Sequence, residues 1–396
     1  MNYPAGESYA SNVKAIGYCD LEGRPGFKLA LHKAGDRWYL YTAKFWHPGF
    51  SIVEVTDPTN PRFVKFIEGP SNTWTLQVQI ADGKMITSQE KIMEGWGNTP
   101  GQGYGEGFLI WDLADPENPE LQGHFKTNGD GTHRNYYDGG RYVYATGLPH
   151  GYVGQILQIV DIIDPKKPIE VGRWWRPGQW EAGGESGARI GTMLHGGAYV
   201  KGDRAFLPYG AGGFVILDIS DKTRPTMISD LPFSPPFVNF ISVHTAVPLN
   251  GRDLVVVNSE AIKENCEEPL GYCGIVDVSD ETNPHLISLF PLPVPPDGAP
   301  YRNFCERGGR FGPHNQHQPQ NQDILYQGED LSFVTYFNGG LRIYDISDER
   351  LPQEVGYFLP PDPRERRGLL PASKLVAQTE DVIVDNRGNI FISDKN

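Results

Sequence analysis

The sequence predicts an all-β protein: one seven-bladed β-propeller over residues 1–396, made of four-stranded antiparallel blades, with the last blade closed by both chain termini. Three observations carry this. A short apolar run followed by acid-x-x-Asp-x-x-x-Pro occurs six times with unchanging internal spacing. Each copy is flanked by strand-like runs around polar turns. No helical period of useful length intervenes. A fixed repeat means one supersecondary unit copied along the chain.

The phrase reads FSIVEVTDPTNP up to Pro61, FLIWDLADPENP to Pro119, LQIVDIIDPKKP to Pro168, FVILDISDKTRP to Pro225, GIVDVSDETNP to Pro284 and LRIYDISDERLP to Pro352. Its first acid is Glu54, Asp112, Asp161, Asp218, Asp277 and Asp345; its second is Asp57, Asp115, Asp164, Asp221, Asp280 and Asp348. The apolar run is β-branched and half alternating, so it reads as a strand. The Asp-x-x-Asp-x-x-x-Pro reads as a turn, because Asp caps backbone two residues on and Pro presets φ. Another strand follows, as in IEVGRWW and QEVGYFL, and two precede, most clearly in GGAYVKGDRAFLPY. The first acids lie between 49 residues (Asp112 to Asp161) and 68 residues (Asp277 to Asp345) apart, the size of a propeller blade with loop insertions. The chain ends are expected to build a seventh blade. Residues 380–394 supply two strands, and Ile16-Gly17-Tyr18 resembles the blade-ending Val355-Gly356-Tyr357. Such closure removes exposed sheet edges.

Gly 47, Pro 33 and 12% aromatic residues suit many turns packed between sheets. A net charge of −14 argues against binding nucleic acid through its backbone. No apolar run approaches a membrane span. The start, MNYPAGESYASN, shows neither a basic nor an apolar signal region, so a cytoplasmic location, or a chain already processed, is expected. Cys19, Cys266, Cys273 and Cys305 lack zinc-finger spacing. Separate thiols are the expectation, although Cys266 and Cys273 flank a Pro-Leu-Gly loop and could pair in an oxidising setting.

Four of the ten histidines open the first strand of four blades: His133, His195, His244 and His314. In a propeller that strand lines the central channel, so matched positions converge near one face. Imidazole is a common ligand of Zn, Cu, Fe and Ni. These four are therefore candidate metal ligands. Glu90, Glu260 and Glu329 fall at or just beyond the end of the antiparallel second strand, on the same face. There a carboxylate can accept the spare ring N–H of a ligating histidine; otherwise these are exposed loop carboxylates. Glu380 or Asp381 occupies the histidine position of the last blade and is a candidate fifth ligand or base. His317 could replace His314 or hold substrate, and His150, like His47, sits in a loop facing the same mouth. His32, His124 and His285 fall off the register. Insertions at 91–108, 178–191, 261–273 and 294–312 are expected to wall a pocket with Trp96, Trp180, Phe311 and Arg189, joined by Tyr136; Arg302, Arg307 and Arg310 lie on the last of them. Such a lining suits a small aromatic or apolar substrate with a polar or anionic group.

IVDIIDPKKP, VILDISDKTRP, IVDVSDETNP and IYDISDERLP resemble the LVIVD-repeat family of bacterial β-propeller proteins over essentially the whole chain. That resemblance implies the fold and says little of chemistry. In architecture the histidine ring is similar to carotenoid cleavage oxygenases, seven-bladed propellers that hold Fe(II) on four axial histidines supported by glutamates. It is more loosely similar to the selenium-binding and methanethiol oxidase propellers. The expected function is metal-dependent, with Fe(II) favoured and Cu, Mn or Zn as alternatives. The expected reaction is oxidation or oxidative cleavage of a small substrate. Two alternatives stand beside it: a Zn or Mn lyase or hydrolase on the same site, and a non-enzymatic interaction scaffold. No G-x-S-x-G elbow, P-loop or dinucleotide fingerprint is present, and GQGYGEG follows no βα pattern.

Overall fold

A computed structural model describes residues 8–233 and 240–396; the stretch read for a targeting signal lies largely outside them. The fold is all-β and propeller-like, and its strands pair antiparallel. Each repeated phrase behaves as its chemistry dictates. The second acid caps the backbone N–H two residues on in all six copies, from Asp57 with Thr59 at 3.0 Å to Asp348 with Arg350 at 3.0 Å.

The first four-stranded sheet runs Leu29–Ala34, Arg37–Ala43, Gly49–Glu54 and Arg62–Glu68. A nine-stranded sheet follows, centred on β1 (Lys84–Lys91) and β2 (Gly129–Tyr136), which are joined by a single pairing of Gly131 with Glu90. Gly131 is required there: a Cβ would meet the Gln89 carbonyl oxygen at 2.0 Å, and φ is +105°. Two four-stranded sheets come next. The first starts at Tyr199–Lys201, and the second opens with β3 (Ile241–Pro248) and β4 (Leu254–Glu260). A further sheet holds β5 (Leu331–Thr335), Leu341–Asp345 and Gln353–Leu359. Apolar cores lie between neighbouring sheets; Tyr136, Leu157, Tyr199, Leu207 and Leu217 form one of them.

The chain ends depart from the expected closure. The terminal hairpin, β6 (Thr379–Val384) with Ile390–Asp394, is a two-stranded sheet. The N-terminal Tyr9–Ser11 strand instead pairs with the outer edge of Gln353–Leu359. Ile16-Gly17-Tyr18 forms no strand. A Cβ on Gly17 would meet the Pro58 carbonyl oxygen at 2.0 Å, so this segment is held by packing on the first sheet's turn rather than by a ladder. Side chains tie the hairpin to that sheet. Asp381 accepts from Lys28 Nζ and from the Leu29 N–H, both at 2.7 Å, and Ser393 donates to the Phe27 carbonyl at 2.5 Å.

Candidate metal centre

Strand irregularities aim the histidines. Against its neighbour Tyr142–Pro149, β2 slips register twice, the second time between Thr132 and Asn135. A bulge breaks the two-residue alternation and re-aims side chains. His133 and Arg134, adjacent in sequence, are both buried as a result. Likewise β3 slips against β4 between Ile241 and Thr245, across His244. His195 and His314 were expected on first strands; His195 precedes the Tyr199–Lys201 strand, and His314 lies in a segment with no assigned strand, where Gln316 makes an isolated bridge to Val334. The N–H groups of His195 and His314 donate to the carbonyls of Pro208 (3.3 Å) and Thr335 (2.8 Å). Gly196 lets the His195 segment approach β3 closely, since a Cβ there would meet the His244 carbonyl oxygen at 1.5 Å.

The four rings form one continuous arc. Centroids lie 4.4 Å apart for His133–His195, 5.3 Å for His195–His244 and 4.6 Å for His244–His314. Glu260 lies inside it: its carboxylate is 3.3 Å from His195 Nε2, 3.5 Å from His244 Nε2 and 3.7 Å from His314 Nε2. The ligating atoms of His195, His244 and Glu260 all lie within 4.8 Å of one another. Two ligands held at 2.0–2.2 Å in tetrahedral geometry are separated by about 3.3 Å, so these spacings suit one shared ion. His244 Nε2 and Glu260 Oε2 are buried without a hydrogen-bond partner. Buried polar atoms seldom remain so.

The outer ring nitrogens are largely spoken for. His133 Nδ1 is 2.6 Å from Glu90 Oε2. His314 Nδ1 is 2.9 Å from the Glu380 carbonyl and 3.1 Å from its carboxylate. His244 Nδ1 is 2.7 Å from Thr245 Oγ1, whose own hydrogen goes to the His314 carbonyl at 3.0 Å. These acceptors assign the proton to Nδ1 in three rings and leave each Nε2 lone pair facing inward. Burial, with His133 nearby, lowers His195 to about 4, and burial pushes His244 well below the ordinary imidazole range. Both rings are neutral at neutral pH, as metal ligands must be. Burial raises Glu260, but Arg310 and the histidines outweigh it and hold the carboxyl well below its usual range. Access is from the His133–His195 side, whose side chains are 10% and 14% exposed against 0% for His244.

The candidates from sequence separate cleanly. Glu90 takes the expected outer position. Glu260 does not: it faces the inner nitrogens, where a ligand belongs. Glu329 is not at the site, because the second strand here is β5 and Glu329 precedes it. Leu331 pairs with Asp345 as Leu254 pairs with Asp277 and Lys84 with Asp112. Six residues on from these come Phe337, Glu260 and Glu90. Phe337 stacks on His314 at 4.8 Å and carries Arg310 over its face at 4.1 Å. Glu380 reaches His314 and pairs with Lys395. Asp381 turns away to Lys28, so it is no ligand. His317 is excluded as a ligand too: Nε2 is bonded to the Tyr326 carbonyl and Nδ1 accepts from the Val384 N–H. His150 is exposed in the turn after Tyr142–Pro149.

The expected pocket lining is only partly assembled. Trp96 touches Phe45, Phe45 touches Phe27, and Phe27 lies 6.1 Å from His314, so a chain of rings leads to the site. Tyr136 is core, bonded to the Val200 carbonyl. Phe311 is core as well, stacked on Phe304. Trp180 packs on Trp175 and Tyr152, and Arg189 is exposed on the same insertion, which folds on its own Glu185. Two insertions do wall the site. Residues 261–273 and 294–312 are joined by a Cys266–Cys305 disulfide, and from the second of them Arg310 reaches Glu260 and the Ala261 carbonyl. The expectation of separate thiols is thus corrected for Cys266 and Cys305, and the alternative partner, Cys273, is a buried free thiol that opens the Cys273–Asp277 strand. Arg134, Thr245, Phe337 and Lys395 were not legible as site residues.

The LVIVD-repeat family model matches residues 151–175, 198–231 and 328–359. No curated protein matches the chain. Similar solved structures include a protein from Lactobacillus plantarum, at 11% identity and TM-score 0.54, covering 88% of this chain and 93% of that one. The β-propeller domain of Myceliophteria thermophila Cps50 (Swd1) is 10% identical with TM-score 0.52, covering 98% and 100%. A hypothetical selenium-binding protein from Sulfolobus tokodaii is 11% identical with TM-score 0.52, covering 93% and 83%. At these identities the likeness is one of fold. Among the described residues, no helix is long and apolar enough to cross a membrane.

Proposed function

Taking the chain as a propeller-like protein built on LVIVD repeats, we propose that it is a metal-dependent enzyme. Its metal site is built on His195, His244 and Glu260, with His133 and His314 beside them. One observation carries the proposal: two neutral inward Nε2 atoms and a buried carboxylate at ligand spacing, with His244 Nε2 and Glu260 Oε2 otherwise unpartnered. Two histidines and one carboxylate suit non-haem Fe(II), and further histidines at hand favour a coordination number above four. When bound, Fe(II) would supply open positions for O2 and so oxidation or oxidative cleavage of a small aromatic or apolar substrate. The chain's own residues fix the geometry. Glu90, Thr245 and Glu380 hold the ring tautomers, and Arg310 holds one oxygen of Glu260 so that the other faces the histidines.

A second reading, Zn or Mn acting as a Lewis acid, is favoured by the same set, since two histidines and a glutamate also bind catalytic zinc. We also infer a ring of seven blades, the terminal hairpin being the last, from its bonds to Lys28, Leu29 and Phe27. The Cys266–Cys305 disulfide supports work in an oxidising compartment rather than the cytoplasm. Anaerobic titration of the metal-free protein with Fe(II) and Zn(II), followed by oxygen uptake, tests the functional reading. Stoichiometric Fe(II) uptake with metal-dependent oxygen consumption is expected. Zinc uptake without oxygen chemistry selects the Lewis-acid reading, and uptake of neither leaves the interaction scaffold.

A further inference from the structure

Four arginines are buried among the described residues. Three have a carboxylate: Arg307 bonds Asp362, Arg310 bonds Glu260 and Arg342 bonds Glu354. Arg134 has none within ion-pair distance. It is 2% exposed. Nη1 reaches Gln77 Oε1 and Nη2 reaches His314 Nε2, both at the long distance of 3.4 Å, and Nε has no partner. Glu260, Asp381, Glu380 and Glu90 surround it at longer range. Each of them is bonded to another group: Arg310, Lys28, Lys395 and His133. A guanidinium offers five donors in a rigid fork that matches a carboxylate. Leaving such a charge buried with two long bonds is costly, and the cost is recovered only when an anion arrives.

Resting on the metal-centre reading above, we infer that Arg134 is the anion receptor of this site and that the substrate is a small organic carboxylate. The geometry places the acid group next to the metal position. Nη2 of Arg134 is 3.4 Å from His314 Nε2, which is 3.7 Å from Glu260. For the rest of the substrate, a run of packed rings adjoins the guanidinium. Phe27 lies under the guanidinium at 4.9 Å and continues into Phe45 and Trp96. The signal was hidden in the sequence because alternation along a strand would send Arg134 to the face opposite His133; the bulge in β2 brings both in.

The test is calorimetric titration of the full chain, metal-free and metal-loaded, with benzoate and with uncharged benzyl alcohol. Benzoate should bind the metal-free protein at millimolar concentration or below, and benzyl alcohol about tenfold more weakly or worse. Arg134→Gln should lose benzoate about tenfold to a hundredfold while Arg134→Lys keeps part of it. Arg134→Gln without ligand should melt no lower than the parent, since it removes an unpaired buried charge. Equal binding of the two probes, unchanged benzoate affinity in Arg134→Gln, or a melt several degrees lower in that variant each overturns the inference. Metal content, measured separately, distinguishes its failure from failure of the metal reading: benzoate bound without any metal uptake leaves the receptor standing and removes the centre.

Discussion

Replacing Glu260 by Gln tests whether this carboxylate is a ligand or only the partner of Arg310. The substitution keeps the shape and removes the charge. Arg310 would lose its buried counter-ion, and breaking such a pair by neutralising one member costs about 3–5 kcal/mol. Part of that is offset here. The guanidinium keeps its bond to the Ala261 carbonyl, its place over Phe337 and a neutral bond to the new amide. A loss of about 2–3 kcal/mol in metal-free stability follows. The metal-dependent part is separate: a ligand present at a hundred times its dissociation constant stabilises by about 2.7 kcal/mol. Paired denaturant unfolding curves with and without metal read both quantities. The parent should gain the metal increment and Glu260→Gln should gain almost none. A variant that loses metal-free stability but keeps the full metal increment would refute ligation by Glu260.

Three further outcomes are expected. Glu90→Gln replaces the charged acceptor 2.6 Å from His133 Nδ1 by a neutral amide and should weaken metal binding about tenfold to a hundredfold, with little change in the melting of the metal-free protein; an unchanged metal titration counts against the carboxylate's support of the ring. Cys305→Ser opens a cross-link spanning 39 residues, which costs about 2–4 kcal/mol in unfolding experiments and loosens Arg310, so metal affinity should fall with it. His317 is neutral in the fold, lowered by burial to about 4. Between that value and the unfolded value near 6.5 the unfolded chain binds the extra proton. Its contribution is therefore complete above about pH 6.5 and is lost as pH falls to about 4, by up to about 3 kcal/mol. His317→Gln should flatten the acid limb of the stability–pH curve by that amount; an unchanged limb would show that burial does not hold the ring neutral.

The repeated acids worked as a ruler because their turns are local chemistry. Each Asp caps its own backbone, so register could be counted from sequence, and that count brought His133, His195, His244 and His314 into one arc. Glu260 was found by the same count but given the wrong side of the histidines. Glu329 was misplaced because counting back from Asp345 starts the strand at Leu331 and puts Phe337 at the matching position. Arg134 escaped because bulges do not announce themselves in a two-residue period. Lys395 and the Cys266–Cys305 pair escaped because they depend on contacts between segments far apart in the chain. The N-terminal edge strand escaped for a different reason: Tyr9–Ser11 is too short to show a pattern.

Elemental analysis of protein purified without a histidine tag, beside its His195→Ala variant, bears most directly on the central claim. The account predicts close to one equivalent of a single transition metal in the parent and a folded variant that has lost it. Less than about a tenth of an equivalent in the parent, with none taken up on reconstitution, would contradict it, as would a His195→Ala variant that retains its metal.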